Sequence, residues 1–203
     1  MIVNSTKGYK YHMFMVKNLD PYGEGALYIV RLQYYGHREN DLVRFPDSVN
    51  VLKYPHMAMA GPAQRGYVVT ASSIYSPAYD VHYALNETLS PANQVYSYWS
   101  SADHYTSAGA WDTNFNTDQY KTVASATDYY GDFIEVEFPR KITLSHITIH
   151  AVTTAQNMVN RLPCDGVVAG WNGSSWDAIK IYSNFSVSAS THNTLDVNAS
   201  SAY

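Results

Sequence analysis

Apolar and polar residues alternate with a period of two along much of this chain, most clearly over residues 131–151. Ile134, Val136 and Phe138 alternate with Phe133, Glu135 and Glu137, the signature of a half-buried β-strand. Pro139 has no N–H to give to a ladder, so this strand is expected to end there in a tight connection. A second alternation runs through Ile142 and Leu144 to Ile147, Ile149 and Ala151. A one-residue irregularity at Ser145-His146 interrupts it, as a β-bulge does. These two strands are the expected central pair of the core.

The same reading predicts strands over 9–18 and 26–36, separated by a Pro- and Gly-punctuated turn at 20–25. Together they are expected to form a hairpin arm over residues 1–36, which needs a sheet to join because an isolated hairpin is marginal in water. Residues 37–60 lose periodicity around Pro46 and Pro55 and read as an extended linker, with Met57 and Met59 against the sheet. A domain over 61–203 opens with a strand at 67–73. Residues 74–130 are rich in Tyr, Ser, Asn and Asp and read as long loops carried by a rigid sandwich. Strands over 165–171 and 176–182 flank Asn172-Gly173, a strong hairpin-turn dipeptide. No amphipathic helix longer than two turns is predicted. The fold class is therefore all-β.

Composition narrows the function more than it defines it. The 203 residues suffice for one large β domain, or one domain plus an arm. A net charge of −4 with 15% charged residues supplies no basic stripe for nucleic acid. No apolar run reaches the roughly 20 residues that span a bilayer, and the first residues lack the apolar stretch of a signal peptide. Tyrosine is abundant, at 19 residues, and suits half-wet sheet faces, interfaces and sugar-stacking surfaces. Cys164 is the only cysteine, so no intrachain disulfide is expected. Asn4, Asn86, Asn172, Asn184 and Asn198 head Asn-x-Ser/Thr triplets, weak evidence of secretion in so Asn-, Ser- and Thr-rich a chain.

The order of short motifs resembles a known family. Ala71-Ser72-Ser73 is followed by Ala84-Leu85-Asn86, Trp99-Ser100, residues 131–138, Arg161-Leu162-Pro163 and residues 170–176. Over about 61–203 this resembles the discoidin-like domains, also called F5/8 type C or galactose-binding-like. It is similar to the repeated modules of large algal virus surface proteins. The resemblance implies a jelly-roll β-sandwich with ligand loops at one end, a place outside the cell or on a virion, and binding of carbohydrate, lipid or protein without catalysis. It also implies that Trp99 and Trp176 are core residues. The family often carries a structural calcium, but Asn86 stands where an Asp is usual. A neutral amide brings no charge, so no cofactor is expected beyond a weak calcium.

Tyr105, Trp111, Asn157 and Arg161 fall in the loop stretches and are the candidate ligand residues: a ring stacks on a sugar face while Asn157 and Arg161 bond hydroxyls. Asp103-His104 has no Ser or Cys in a nucleophile elbow beside it, so no enzyme is expected. His146 and His150 lie four apart on one strand, about 13 Å, too far to share a metal. In the family pattern, closing strands follow a position like Tyr203, and residues 9–36 resemble them. Residues 3–9 also echo residues 197–203, which reads as one period of a repeat. The arm is thus expected to complete the sandwich, burying Met13, Met15, Leu27, Ile29 and Leu32, either in its own chain or in the next copy. The stiff linker favours the second, a head-to-tail homo-oligomer built by strand complementation. A glycan-binding module is the alternative function.

Overall fold

The computed structural model describes residues 7–19, 25–38, 51–87, 98–112, 114, 120–123, 126–150, 161–186 and 192–197. It is all-β, with thirteen strands and two short 3-10 turns among these residues. In order the strands are β1 (Tyr9–Leu19), β2 (Tyr28–Ile29), β3 (Arg31–Arg38), β4 (Leu52–Tyr54), β5 (Ala63–Gln64), β6 (Tyr67–Ala71), β7 (Trp99–Ser100), β8 (Tyr120–Val123), β9 (Ala126–Tyr130), β10 (Asp132–His150), β11 (Pro163–Trp171), β12 (Trp176–Tyr182) and β13 (His192–Asp196).

β10 organises the molecule. It is a single strand of 19 residues, where the sequence suggested two strands broken at Pro139. The proline sits where β10 changes neighbours. The strand pairs with β6 on one edge up to Glu137, and with β1 on the other up to Glu137 and once more at Ile142, past a register shift. From Ile142 it pairs with β3, and from His146 also with β13. A residue between two sets of partners needs no N–H, and the φ of proline is compatible with extended backbone. The irregularity at Ser145 is present as a register shift between Leu144 and His146 against β3. It keeps Leu144 and Ile147 both buried although they are three residues apart.

The two halves of β10 thus belong to two half-sheets, β5-β6-β10-β1-β11-β12-β8-β9 and β4-β3-β10-β13. Their inner faces meet in one core that contains Phe14, Leu32, Val69, Ile134, Ile149, Val168 and Leu195. Phe138, at the handover, is met edge-on by His12 at 5.1 Å, Tyr34 at 5.6 Å, Tyr67 at 5.9 Å and Tyr54 at 6.0 Å. Trp99 and Trp176 are buried.

The N-terminal strands complete this sheet within their own chain, but not as a hairpin. β10 lies between β1 and β3, and the two never pair. β1 fills the slot between β10 and β11, bonded along both edges. Met13, Met15, Leu27, Ile29 and Leu32 are all fully buried. The range read as a linker contributes β4 and buries Met59, with Met57 packed against the core.

The outer face of β1 and β11 is apolar too. Met13, Met15, Phe133, Val167, Ala169 and Trp176 form a second cluster, with Tyr11, Tyr129 and Trp171 packed at its margin. β9 is the last strand in pairing order, yet Gly131 alone joins it to β10. The sheet therefore rolls back towards this outer face and helps to shield it.

Candidate functional site

The outer face carries an aromatic row at one end. Tyr11 lies opposite Glu137 of β10, and His12 lies opposite Gly170 of β11. One step along that antiparallel register places Tyr11 beside Trp171, which is itself opposite Trp176 of β12. Glu137, Tyr11, Trp171 and Trp176 therefore cross four adjacent strands on one face. The Trp171 and Trp176 rings meet edge-on at 5.6 Å. Trp176 is buried, whereas Tyr11 and Trp171 are half-buried, so an aromatic surface meets solvent with a packed support behind it.

Two depressions share this row. One of about 280 Å³ is lined by Tyr11, Glu135, Trp171 and Trp176. The other, of about 410 Å³, continues past Tyr11 and Trp171 to Tyr9, Lys141, Asn172 and Gly173. The β11–β12 turn fixes the rim. The Asn172 side-chain oxygen accepts the N–H groups of Ser174 and Ser175, both at 3.0 Å. Its amide nitrogen donates to Asp177 at 2.6 Å, and Gly173 takes the positive φ of 108° that the turn requires.

Charges ring the aromatic row in opposed pairs. Lys10 bridges to Glu137 at 2.6 Å, with its ammonium 5.5 Å from the Tyr11 ring centre. Lys7 pairs with Asp177 and lies 5.0 Å from the Tyr9 ring centre. The Tyr9 hydroxyl donates to the same carboxylate at 2.9 Å. The bond to Glu137 holds the Lys10 ammonium above its ordinary pKa, and the bond from Lys7 holds Asp177 below its own. Exposed pairs of this kind are weak and exchange readily with a ligand. The site thus offers flat apolar rings for stacking and acceptors and donors at the edge.

The residues expected from the sequence lie elsewhere. Tyr105 is buried: its hydroxyl donates to the Val16 carbonyl at 3.0 Å and accepts the Asp132 N–H at 3.1 Å. Burial holds its phenol well above the ordinary value. Trp111 is half-buried and packs edge-on against Tyr105 at 5.5 Å and near His104 at 5.1 Å. Arg161 lies over the Tyr28 ring at 4.8 Å and donates to its hydroxyl. Tyr105 and Trp111 therefore touch, Arg161 is engaged with Tyr28, and Asn157 lies outside the described residues. So does most of the 3–9 and 197–203 echo. Asn86 ends the second 3-10 turn. Among the described residues no three His, Cys, Asp or Glu side chains come together. Beside His104, Ser72 and Ser73 both donate to Asp132 Oδ1, at 2.6 and 2.9 Å.

Tyr11 was visible in the sequence only as a member of a strand, whereas Trp171, flanking the Asn172-Gly173 turn, was open to either a core or a ligand role. The signal available was the Trp171-Asn172-Gly173 juxtaposition. The missing information was that a strand some 160 residues earlier lies beside it.

No protein-family model, curated protein or solved structure matches the chain.

Proposed function

We propose that this chain is a non-catalytic, discoidin-like sandwich module of a virion or cell surface that binds saccharide on the Tyr11–Trp171–Trp176 row. The observation that carries the reading is the aromatic row itself, half-exposed, floored by packed side chains and edged by Glu135, Lys141 and Asn172. Pyranose rings have apolar faces and polar rims, and a site with flat rings and peripheral hydrogen-bonding groups matches both. Tyr11 and Trp171, side by side and half-exposed above the buried Trp176, leave an aromatic edge in contact with water.

The test is binding of the intact chain to a panel of immobilised glycans, followed by titration of the best ligand. Trp171→Ala and Tyr11→Ala should each weaken binding roughly fivefold to tenfold, on the order of 1 kcal/mol of lost ring contact. Trp111→Ala, remote from the row, should leave affinity unchanged. A panel with no ligand, or Trp171→Ala binding as well as the unaltered chain, would sink the reading.

Head-to-tail assembly keeps one structural argument. The slot between β10 and β11 is defined by β1 alone, so the β1 of a neighbouring copy makes the same bonds. Assembly of this kind is an exchange of strands already seen within one chain, and needs no further surface.

A further inference from the structure

The outer face of the second half-sheet is a polar grid made by three strands. Tyr35, His146 and Asp196 form one cross-strand row, and Gln33, Thr148 and Thr194 the next. Arg31, His150 and His192 form the last. The first two rows are internally matched. Tyr35 stacks on His146 at 4.4 Å. Gln33 Oε1 accepts the Tyr35 hydroxyl at 3.2 Å and the Thr148 hydroxyl at 3.3 Å.

The last row is not matched. Arg31 Nε and His150 Nδ1 are both buried, and among the described residues neither has a hydrogen-bond partner. His150 is only 8% exposed. Its ring faces that of His192 across the ladder, with centres 5.1 Å apart. A guanidinium Nε always carries a proton, so a buried one without an acceptor is an unmet donor, costly in a folded protein. Among the described residues, the acids nearby are engaged or distant. Glu87 pairs with Lys53 and offers Arg31 only its backbone carbonyl, while Asp196 faces His146 two rows away. Among the described residues, three groups that are all donors when protonated therefore converge without an acid beside them.

We propose that the Arg31–His150–His192 row binds a tetrahedral oxyanion, phosphate or sulfate, either free or carried as an ester. An oxyanion supplies charged acceptors for the guanidinium and both imidazoles, and such charge-assisted bonds are about twice as strong as neutral ones. Two facing imidazoles also suit a divalent metal, but Arg31 beside them repels a cation and selects the opposite sign. Burial, then His192 and Arg31, push the His150 imidazole below its ordinary pKa. An anion in the row offsets the repulsion from the last two, so binding should draw in a proton. The other ionisable groups on the grid and its border are Tyr35, Lys53, Glu87, His146 and Asp196. Among them burial also lowers the pKa of His146.

Sulfate separates the protein's titration from the ligand's, because it remains a dianion from pH 5.5 to 7.5. Calorimetric titration of the intact chain with sodium sulfate, against sodium chloride at equal ionic strength, should show saturable binding. Affinity should rise by up to about tenfold per pH unit, as pH falls, for each imidazole that gains a proton. Arg31→Gln and His192→Gln should each weaken it roughly fivefold or more. Arg31 anchors the Glu87 carbonyl, so its variant also removes a structural bond; His192 is exposed, so His192→Gln gives a folded control checked by circular dichroism. A sulfated or phosphorylated monosaccharide that binds more tightly than the inorganic ion identifies an ester as the source. The reverse order identifies the free ion. Sulfate acting no differently from chloride, or binding the His192→Gln variant equally well, would overturn the proposal. So would affinity that does not change with pH. The aromatic row lies on the other half-sheet, so failure here leaves the saccharide reading untouched, and Trp171→Ala should not alter sulfate binding.

Discussion

At the scale of single residues, His12 shows how a polar side chain is placed in the core and what it costs. It is fully buried, donates from Nε2 to the Tyr9 carbonyl at 3.1 Å, and presents its ring edge to Phe138. Burial lowers its pKa to about 4. The folded state therefore refuses a proton that the unfolded chain accepts near pH 6.5. Stability from this group is complete above about 6.5 and is lost as pH falls towards about 4, by roughly 3 kcal/mol in all. Urea unfolding of the chain and of His12→Gln at pH 7.5 and pH 4 should show the difference between them shrinking across that window. Parallel profiles would show that His12 does not titrate as described. Tyr105 teaches the converse lesson. A loop tyrosine beside a tryptophan invites a ligand in the sequence, but here the phenol bonds Val16 and Asp132 inside the protein.

At the scale of elements, the most constrained joint is Gly131, where β9 turns into β10. Its φ is 152°, and a Cβ built there would lie 1.9 Å from the Val16 carbonyl oxygen. That oxygen belongs to β1's backbone, so no side-chain rotation relieves the clash. Gly131→Ala should cost on the order of 3 kcal/mol or more. Gly173→Ala, whose Cβ meets nothing within 4 Å, should cost less despite its positive φ. A similar fall in thermal midpoint for both would count against this account. Elements with local signals were legible: β11 and β12 flank Asn172-Gly173 where the dipeptide placed them, and the irregularity at Ser145 is a register shift. Elements whose meaning depends on distant partners were not. Pro139 reads as a strand end until β10 is seen to exchange neighbours there. β1 and β3 read as a hairpin because nothing local announces that β10 separates them. β13 has one buried residue, Leu195, next to its end, and gave too short an alternation to be recognised. The aromatic row was hidden for the same reason: its strands come from both ends of the chain.

At the scale of the whole molecule, β1 is a central strand rather than an appendage. Removing residues 1–36 takes away most of β3 as well and opens both half-sheets along β10. The 37–203 fragment should lack a cooperative unfolding transition, and a sharp one would contradict the topology. Light scattering across a concentration series tests arm exchange on the intact chain. Growth of oligomers with an unchanged far-ultraviolet spectrum is the expected mark of exchanged β1 strands. A constant monomer mass at high concentration would remove head-to-tail assembly.

The placement of β1 also governs how the protein is made. About 150 residues of chain separate the end of β1 from the end of β11, and its other neighbour, β10, is itself late. At ribosomal rates the first strand waits roughly 8 to 30 s for its slot to exist. Throughout that interval Met13, Phe14, Met15 and Val16 have no sheet to enter, and form an apolar stretch open to any chaperone or to a second nascent chain on the same message.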